Sequence, residues 1–309
     1  PVYDNIILLL TIITCQKNTN QIQSHIKRLS ADAAQSFRPG MAMNSVIWSK
    51  SIIFAILERP TEPGIHGPEG TNHKNMKEET ACLLKEWAET YNDPQYFKED
   101  PIAFPARFAE MMKSGQCGLK DVETAAVFAA HFAWGRRAMI VRDCTRLFDE
   151  MNWKPYDYVM KGNWRNESVS IHRTIKWSEV AAICARLKGI YEERESIETL
   201  TVAEIRTSVF GQKEDAKAPN KKINMMRRWM VRDDGKVDLG VWRNTSPDTL
   251  LIPLDVHVYQ QATELGLTER KPKDIRTVME ITDVFRNIFP GDPCKGDFAL
   301  FGYGVTHQE

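Results

Sequence analysis

Leu251-Ile252-Pro253-Leu254-Asp255-Val256-His257-Val258-Tyr259 reads as a short apolar approach that delivers one aspartate to the first turn of a helix. Residues 256–265 keep helical spacing and Gly266 behind them is a stop signal. Asp255 therefore stands at the N-cap, where backbone N–H groups point outward and the helix dipole is positive, so its carboxylate is expected to be ionised at neutral pH. A lone aspartate at a helix start is most often only a cap. The same placement is also what an enzyme needs to hold a fixed negative charge beside a developing cation.

Working outward from that helix, the 3.6-residue period continues on both sides. It predicts helices over residues 78–91, 177–194, 201–210, 221–231, 274–289 and 298–305, with a turn-rich lead at 100–105 into a further short element. Residues 121–151 carry a long apolar body followed by a basic amphipathic half, which makes one long helix or two broken at Gly135. Period-two runs are scarce, so the expected class is all-α, with one short hairpin around Asp233-Asp234-Gly235-Lys236.

Residues 1–75 differ from the rest. The run from Asn5 to Cys15 is too short to span a bilayer and Lys50 interrupts the apolar stretch 46–57. The chain starts with Pro1, no basic segment precedes the apolar run, and Met76 is followed at once by a helical pattern. Residues 1–75 are therefore expected to be a poorly ordered extension or upstream sequence translated in frame, with 76–309 as the folded domain.

The 309 residues hold 41 Lys+Arg and 41 Asp+Glu, and the sequence pI is near 7.4. Neutrality argues against a protein that coats polyelectrolytes, but a local basic face is enough to contact phosphates. The six cysteines form neither a CxxC pair nor a Cys/His cluster at zinc spacing, which points to reduced thiols, a cytoplasmic protein and no structural metal.

Basic residues collect in Lys217-Ala218-Pro219-Asn220-Lys221-Lys222-Ile223-Asn224-Met225-Met226-Arg227-Arg228-Trp229-Met230-Val231-Arg232, where Pro219 and Asn220 start a helix. Lysines in a first turn oppose the helix dipole by a few tenths of a kcal/mol, a cost that a bound phosphate removes. The alternative is a solvated basic face. Met225, Met226, Trp229 and Met230 make the apolar side and read as core.

The order of these pieces resembles the helix-hairpin-helix (HhH-GPD) DNA glycosylase superfamily, and within it an uncharacterised bacterial branch. The resemblance rests on Ile102-Ala103-Phe104-Pro105-Ala106-Arg107-Phe108, Phe132-Ala133-Trp134-Gly135-Arg136-Arg137, Ile171-His172-Arg173-Thr174, Arg228-Trp229-Met230-Val231-Arg232 and Ile252-Pro253-Leu254-Asp255-Val256-His257-Val258, in that order. It implies two helical subdomains with a cleft between them, and a base-excision repair enzyme acting on duplex DNA that holds a damaged base or an abasic site. Asp255 falls at the catalytic aspartate, which stabilises an oxocarbenium-like sugar, and Lys221 at the lysine with which bifunctional members form a Schiff base. That lysine needs a depressed pKa, which Lys222 and Arg227 are placed to supply by like-charge repulsion. Trp134 falls where the superfamily fills the gap left by an extruded base. Arg136, Arg137, Lys222, Arg227, Arg228 and Arg232 are the candidate phosphate contacts, and His172, Arg173 and His257 candidate site-lining residues.

Three departures stand against this pattern. The hairpin before Lys221 has no glycines, Gln260 replaces an arginine often found five residues after the aspartate, and no four-cysteine set follows the last helix. An iron–sulfur cluster is thereby excluded on ligand count, and no cofactor is expected. A non-catalytic nucleic-acid-binding protein on the same scaffold is the alternative function, and nothing in the sequence selects a lesion.

Overall fold

In the computed structural model the backbone is described over residues 70–307 and the side chains over 78–304. The chain divides into two units after Lys77, and the account below concerns Glu78–Glu309. The expectation for residues 1–75 concerns a segment that, apart from helix backbone from Gly70, lies outside the described residues.

The architecture is almost wholly helical. In order the elements are α1 (Gly70–Tyr91), α2 (Ala103–Lys113), α3 (Leu119–Phe132), α4 (Arg137–Glu150), α5 (Pro155–Lys161), a β1–β2 ribbon (Ser170–His172 with Ile175–Lys176), α6 (Trp177–Glu193), α7 (Val202–Glu204, continued as a π turn Ile205–Val209), α8 (Lys221–Val231), α9 (Val256–Glu264), α10 (Ile275–Ile288) and α11 (Lys295–His307). Among the described residues no helix is long and apolar enough to cross a membrane.

The core forms around α3. Every residue from Val122 to Phe132 is buried, as a helix must be when its apolar residues run round the whole circumference rather than along one stripe. Helices α2 and α8 lie against it. Its one buried carboxylate, Glu123, accepts hydrogen bonds from Ser196 Oγ and, at 2.8 Å, from Trp242 Nε1. That second bond fastens the connector between α8 and α9 to the central helix. The connector also hydrogen-bonds to α8, Leu239 N to Trp229 O at 2.7 Å and Trp242 N to Met230 O at 2.8 Å.

The apolar body and basic half of 121–151 are two helices, interrupted at Ala133-Trp134-Gly135-Arg136. Gly135 has φ 105°, a backbone conformation that a side chain opposes. The hairpin expected at 233–236 is not one: Asp233-Asp234-Gly235-Lys236 is a turn without strands. The antiparallel ribbon lies at Ser170–Lys176 instead. Asp-Asp-Gly-Lys marks a chain reversal, and here the residues beside it pair through side chains to other elements rather than through a backbone ladder.

Candidate functional site

Lys221 is the first residue of α8, and the turn before it is built for that position. Asn220 sits in the left-handed region at φ 48°, which asparagine tolerates better than most side chains. Its amide donates to Ala218 O and its Oδ1 accepts from Arg206. One turn into α8, buried Asn224 donates to Pro219 O at 3.1 Å and to Ile252 O at 3.4 Å. A single side chain thus ties the turn before Lys221 to the apolar approach before Asp255. Ile252 is held from its other side by Thr282 Oγ1 of α10, which accepts its N–H at 3.3 Å.

Asp255 is the N-cap of α9, with Oδ1 accepting Val258 N at 2.9 Å. Its other oxygen, Oδ2, lies 3.5 Å from Lys221 Nζ, and the two side chains are 33% and 31% exposed. Residues 34 apart in sequence (255 − 221) therefore converge at a half-open position. At that exposure the pair adds little to stability, and both groups remain accessible to a ligand.

Lys222 takes a different course. Its Nζ donates to His131 O in the last turn of α3 at 2.7 Å, so it faces inward and is no free phosphate contact. Burial, with Lys221 adding like charge and Glu179 opposing both, pushes its amine down to about 8. This bond seats the first turn of α8 on the end of α3, three residues before Trp134. Beneath Lys222, His131 Nε2 and Glu179 Oε1 are 2.9 Å apart.

Trp134 is half-buried at the α3–α4 break. The Arg173 guanidinium lies 4.2 Å over its ring, and the His172 ring meets it edge-on at 5.9 Å. His172 is fully buried, with Nδ1 2.8 Å from Asp143 Oδ2 and Nε2 3.1 Å from the Trp134 carbonyl. It supports the tryptophan from below and does not line an open site. At Asp143, burial raises the carboxyl, but hydrogen bonds from Arg142 and His172 outweigh it and hold the group below the ordinary range. Arg136 and Arg137 are exposed, and His257 is exposed in the first turn of α9.

Two further candidates are corrected. Arg228 and Arg232 are buried in a network of carboxylates. Arg228 pairs with Asp238 and Asp297, and Arg232 with Asp234, Asp238 and Asp292. With side chains 7% and 1% exposed, and guanidiniums set between buried carboxylates and the Phe298 ring, neither arginine is presented to a surface ligand. Arg227 is partly buried and donates to Leu200 O at 3.3 Å.

Cations that the sequence reading did not single out stand elsewhere. Lys217, Arg270 and Arg276 line a cavity of about 440 Å³ beside the Lys221 turn, with Asp274 as its acidic group. Ile275 N donates to Lys217 O at 3.0 Å, which joins that turn to the start of α10. Lys217 lay inside the quoted basic segment, but its partners 53 or more residues away (270 − 217) carried no local signal.

The family described as "Protein of unknown function (DUF2400)" matches residues 100–216 and 204–306. No curated protein and no solved structure matches the chain.

Proposed function

The chain belongs to the DUF2400 family, and for a member with this geometry we propose a DNA base-excision function of the helix-hairpin-helix glycosylase type: cleavage of the N-glycosidic bond of a damaged base, with lyase action at the resulting abasic site. The observation that carries the reading is the 3.5 Å approach of Lys221 Nζ to Asp255 Oδ2 at a position open to ligand.

In this reading the Asp255 carboxylate stands beside the sugar as positive charge develops at its anomeric carbon, which a fixed anion in a partly water-excluded site stabilises. Asp255 also accepts the proton that the attacking group gives up. Where that group is the Lys221 amine, it condenses with the sugar aldehyde, water leaves, and the imine permits β-elimination of the strand. Trp134, at the end of α3, provides an aromatic face for a base once Arg173 moves aside. Arg136, Arg137 and the cations around the Lys217 cavity are the phosphate contacts.

The test uses the full chain with duplexes holding single damaged bases or an abasic site, and borohydride to reduce any imine. Wild type should release base and form a covalent adduct. Lys221→Gln should lose the adduct, and Asp255→Asn should lose base release while duplex binding persists, because charge is removed without bulk. Duplex binding with neither release nor adduct on any lesion would move the assignment to a non-catalytic binding protein on this scaffold.

A further inference from the structure

Trp134 stands on a fastened base. Its N–H donates to Phe132 O at 2.6 Å, and its carbonyl is 3.1 Å from Nε2 of the fully buried His172, whose Nδ1 is 2.8 Å from Asp143 Oδ2. The His172 ring also stacks on Phe132 of α3 at 5.2 Å. One histidine, held at both ring nitrogens, thus ties the α3–α4 break to the β1–β2 ribbon.

The cover on the tryptophan is held differently. Arg173, the next residue of the ribbon, has its backbone in the left-handed region at φ 52°, uncommon for a side chain of this size. Its carbonyl accepts Ser170 Oγ at 2.5 Å. From that turn the guanidinium reaches 4.2 Å over the Trp134 ring. Gly135 leaves room for it, because a Cβ there would lie 2.7 Å from Nη1 and 3.1 Å from Cδ of Arg173. Among the described residues no hydrogen bond and no ion pair holds this guanidinium, so its seat depends on the ring contact. Other arginines laid on aromatic rings are pinned. Arg165 covers Trp177 and pairs with Glu150 and Glu167, and Arg228 covers Phe298 and pairs with Asp238 and Asp297. Arg107 covers Trp153 without an acid, but that ring is already stacked with Phe104, Phe108 and Phe148.

A guanidinium is planar, delocalised and weakly hydrated, and on an aromatic face it takes the place into which a nucleobase stacks. Resting on the base-excision reading for the identity of the occupant, we propose that Arg173 is a place-holder on Trp134. It covers the indole in the free protein and yields to an unstacked nucleobase. Because the platform is fastened and its cover is not, the exchange moves one side chain and leaves the backbone where it is. An exposed cation–π contact competes with the base by about 2- to 5-fold in affinity.

The experiment titrates the full chain into a single-stranded oligonucleotide with one 2-aminopurine between two tetrahydrofuran residues. That base has no neighbour to stack on, and its fluorescence falls when it meets an aromatic face. Arg173→Ala and Trp134→Leu are measured singly and together at one fixed salt concentration. The effect of Arg173→Ala in the wild-type chain, divided by its effect in Trp134→Leu, should be a gain of about 2- to 5-fold in affinity. The lost charge acts alike in both backgrounds and cancels from this ratio. Arg173→Lys, which keeps the charge and gives up the flat group, should show part of the gain. A ratio of one or below would overturn the place-holder and leave Arg173 a structural cover or a phosphate contact, with the base-excision reading standing. The expected gain without base release from any lesion would uphold the place-holder and overturn base excision. Wild type that binds neither this oligonucleotide nor a lesion-bearing duplex would overturn both.

Discussion

Replacing Arg232 by methionine separates a DNA-binding arginine from a structural one. The Arg232 side chain is 1% exposed. It donates to Asp292 through Nε at 2.8 Å and through Nη2 at 2.8 Å, to Asp234 at 2.9 Å, and to Asp238 through Nη1. Methionine keeps most of the volume and none of the charge. Asp234 and Asp292 are 26% and 30% exposed and recover water, but Asp238, with a fully buried side chain, is left with Arg228 alone at 3.3 Å. Removing one partner of a buried pair costs about 3–5 kcal/mol, and with two of three acids still wetted the lower part of that range applies, about 3–4 kcal/mol. For a unit of this size 1 kcal/mol moves the melting temperature by roughly 2–4 °C, so Tm should fall by roughly 6–16 °C. Duplex affinity against salt, measured below the new Tm, should keep its wild-type slope, whereas loss of a phosphate contact would lower it by about one. A variant that melts within about 1 kcal/mol of wild type, or that binds duplex with a reduced salt slope, would refute the assignment of Arg232 to the core.

Two other expectations concern stability. Lys222 is held at about 8 from an ordinary 10.5, so between those values the unfolded chain binds more protons than the folded one and stability rises with pH. The penalty is fully present below pH 8, and the melting temperature of wild type relative to Lys222→Met should climb from pH 8 to pH 10.5. A difference that stays flat over that window would show that the amine is not desolvated. At Gly296 of α11, an added Cβ would lie 2.4 Å from Cγ of the buried Phe285 ring. Gly296→Ala should therefore destabilise by about 1–3 kcal/mol through overpacking, read as a loss of urea midpoint with unchanged slope, and a wild-type midpoint would show that α10 and α11 can separate at no cost.

How much was legible in the sequence follows from where each signal is stored. Helix α8 runs over exactly the residues that Pro219-Asn220 and the apolar period mark out, Lys221–Val231, and Asp255 caps α9, because start signals and periodicity lie within a few residues of the element they define. The ribbon at Ser170–Lys176 was missed because strands of three and two residues are too short to show alternation. The arginines were misread for a related reason. On a helical wheel Arg228 and Arg232 are a basic face, and the acids that neutralise them come from the connector (Asp238), the turn between α10 and α11 (Asp292) and α11 (Asp297).

This relocation of charge also bears on the duplex contacts proposed above. With 41 basic and 41 acidic residues, a nucleic-acid face exists only where cations are left uncompensated. The basic helix α8 spends Lys222 on the end of α3, Arg227 on Leu200, and Arg228 and Arg232 on buried acids. Arg136 and Arg137 next to Trp134, and Lys217 and Arg276 beside the Lys221 turn, stay exposed, as do surface cations elsewhere such as Lys98, Arg107, Lys213 and Lys273, and Arg137 lies 3.8 Å from Asp100. The start of α8 connects to both neighbourhoods: Lys222 bonds to the end of α3 three residues before Trp134, and the Lys217 turn leads directly into Lys221. On the base-excision proposal, these are exposed cations that the α3 end and the Lys217–Ile275 bond connect to the start of α8.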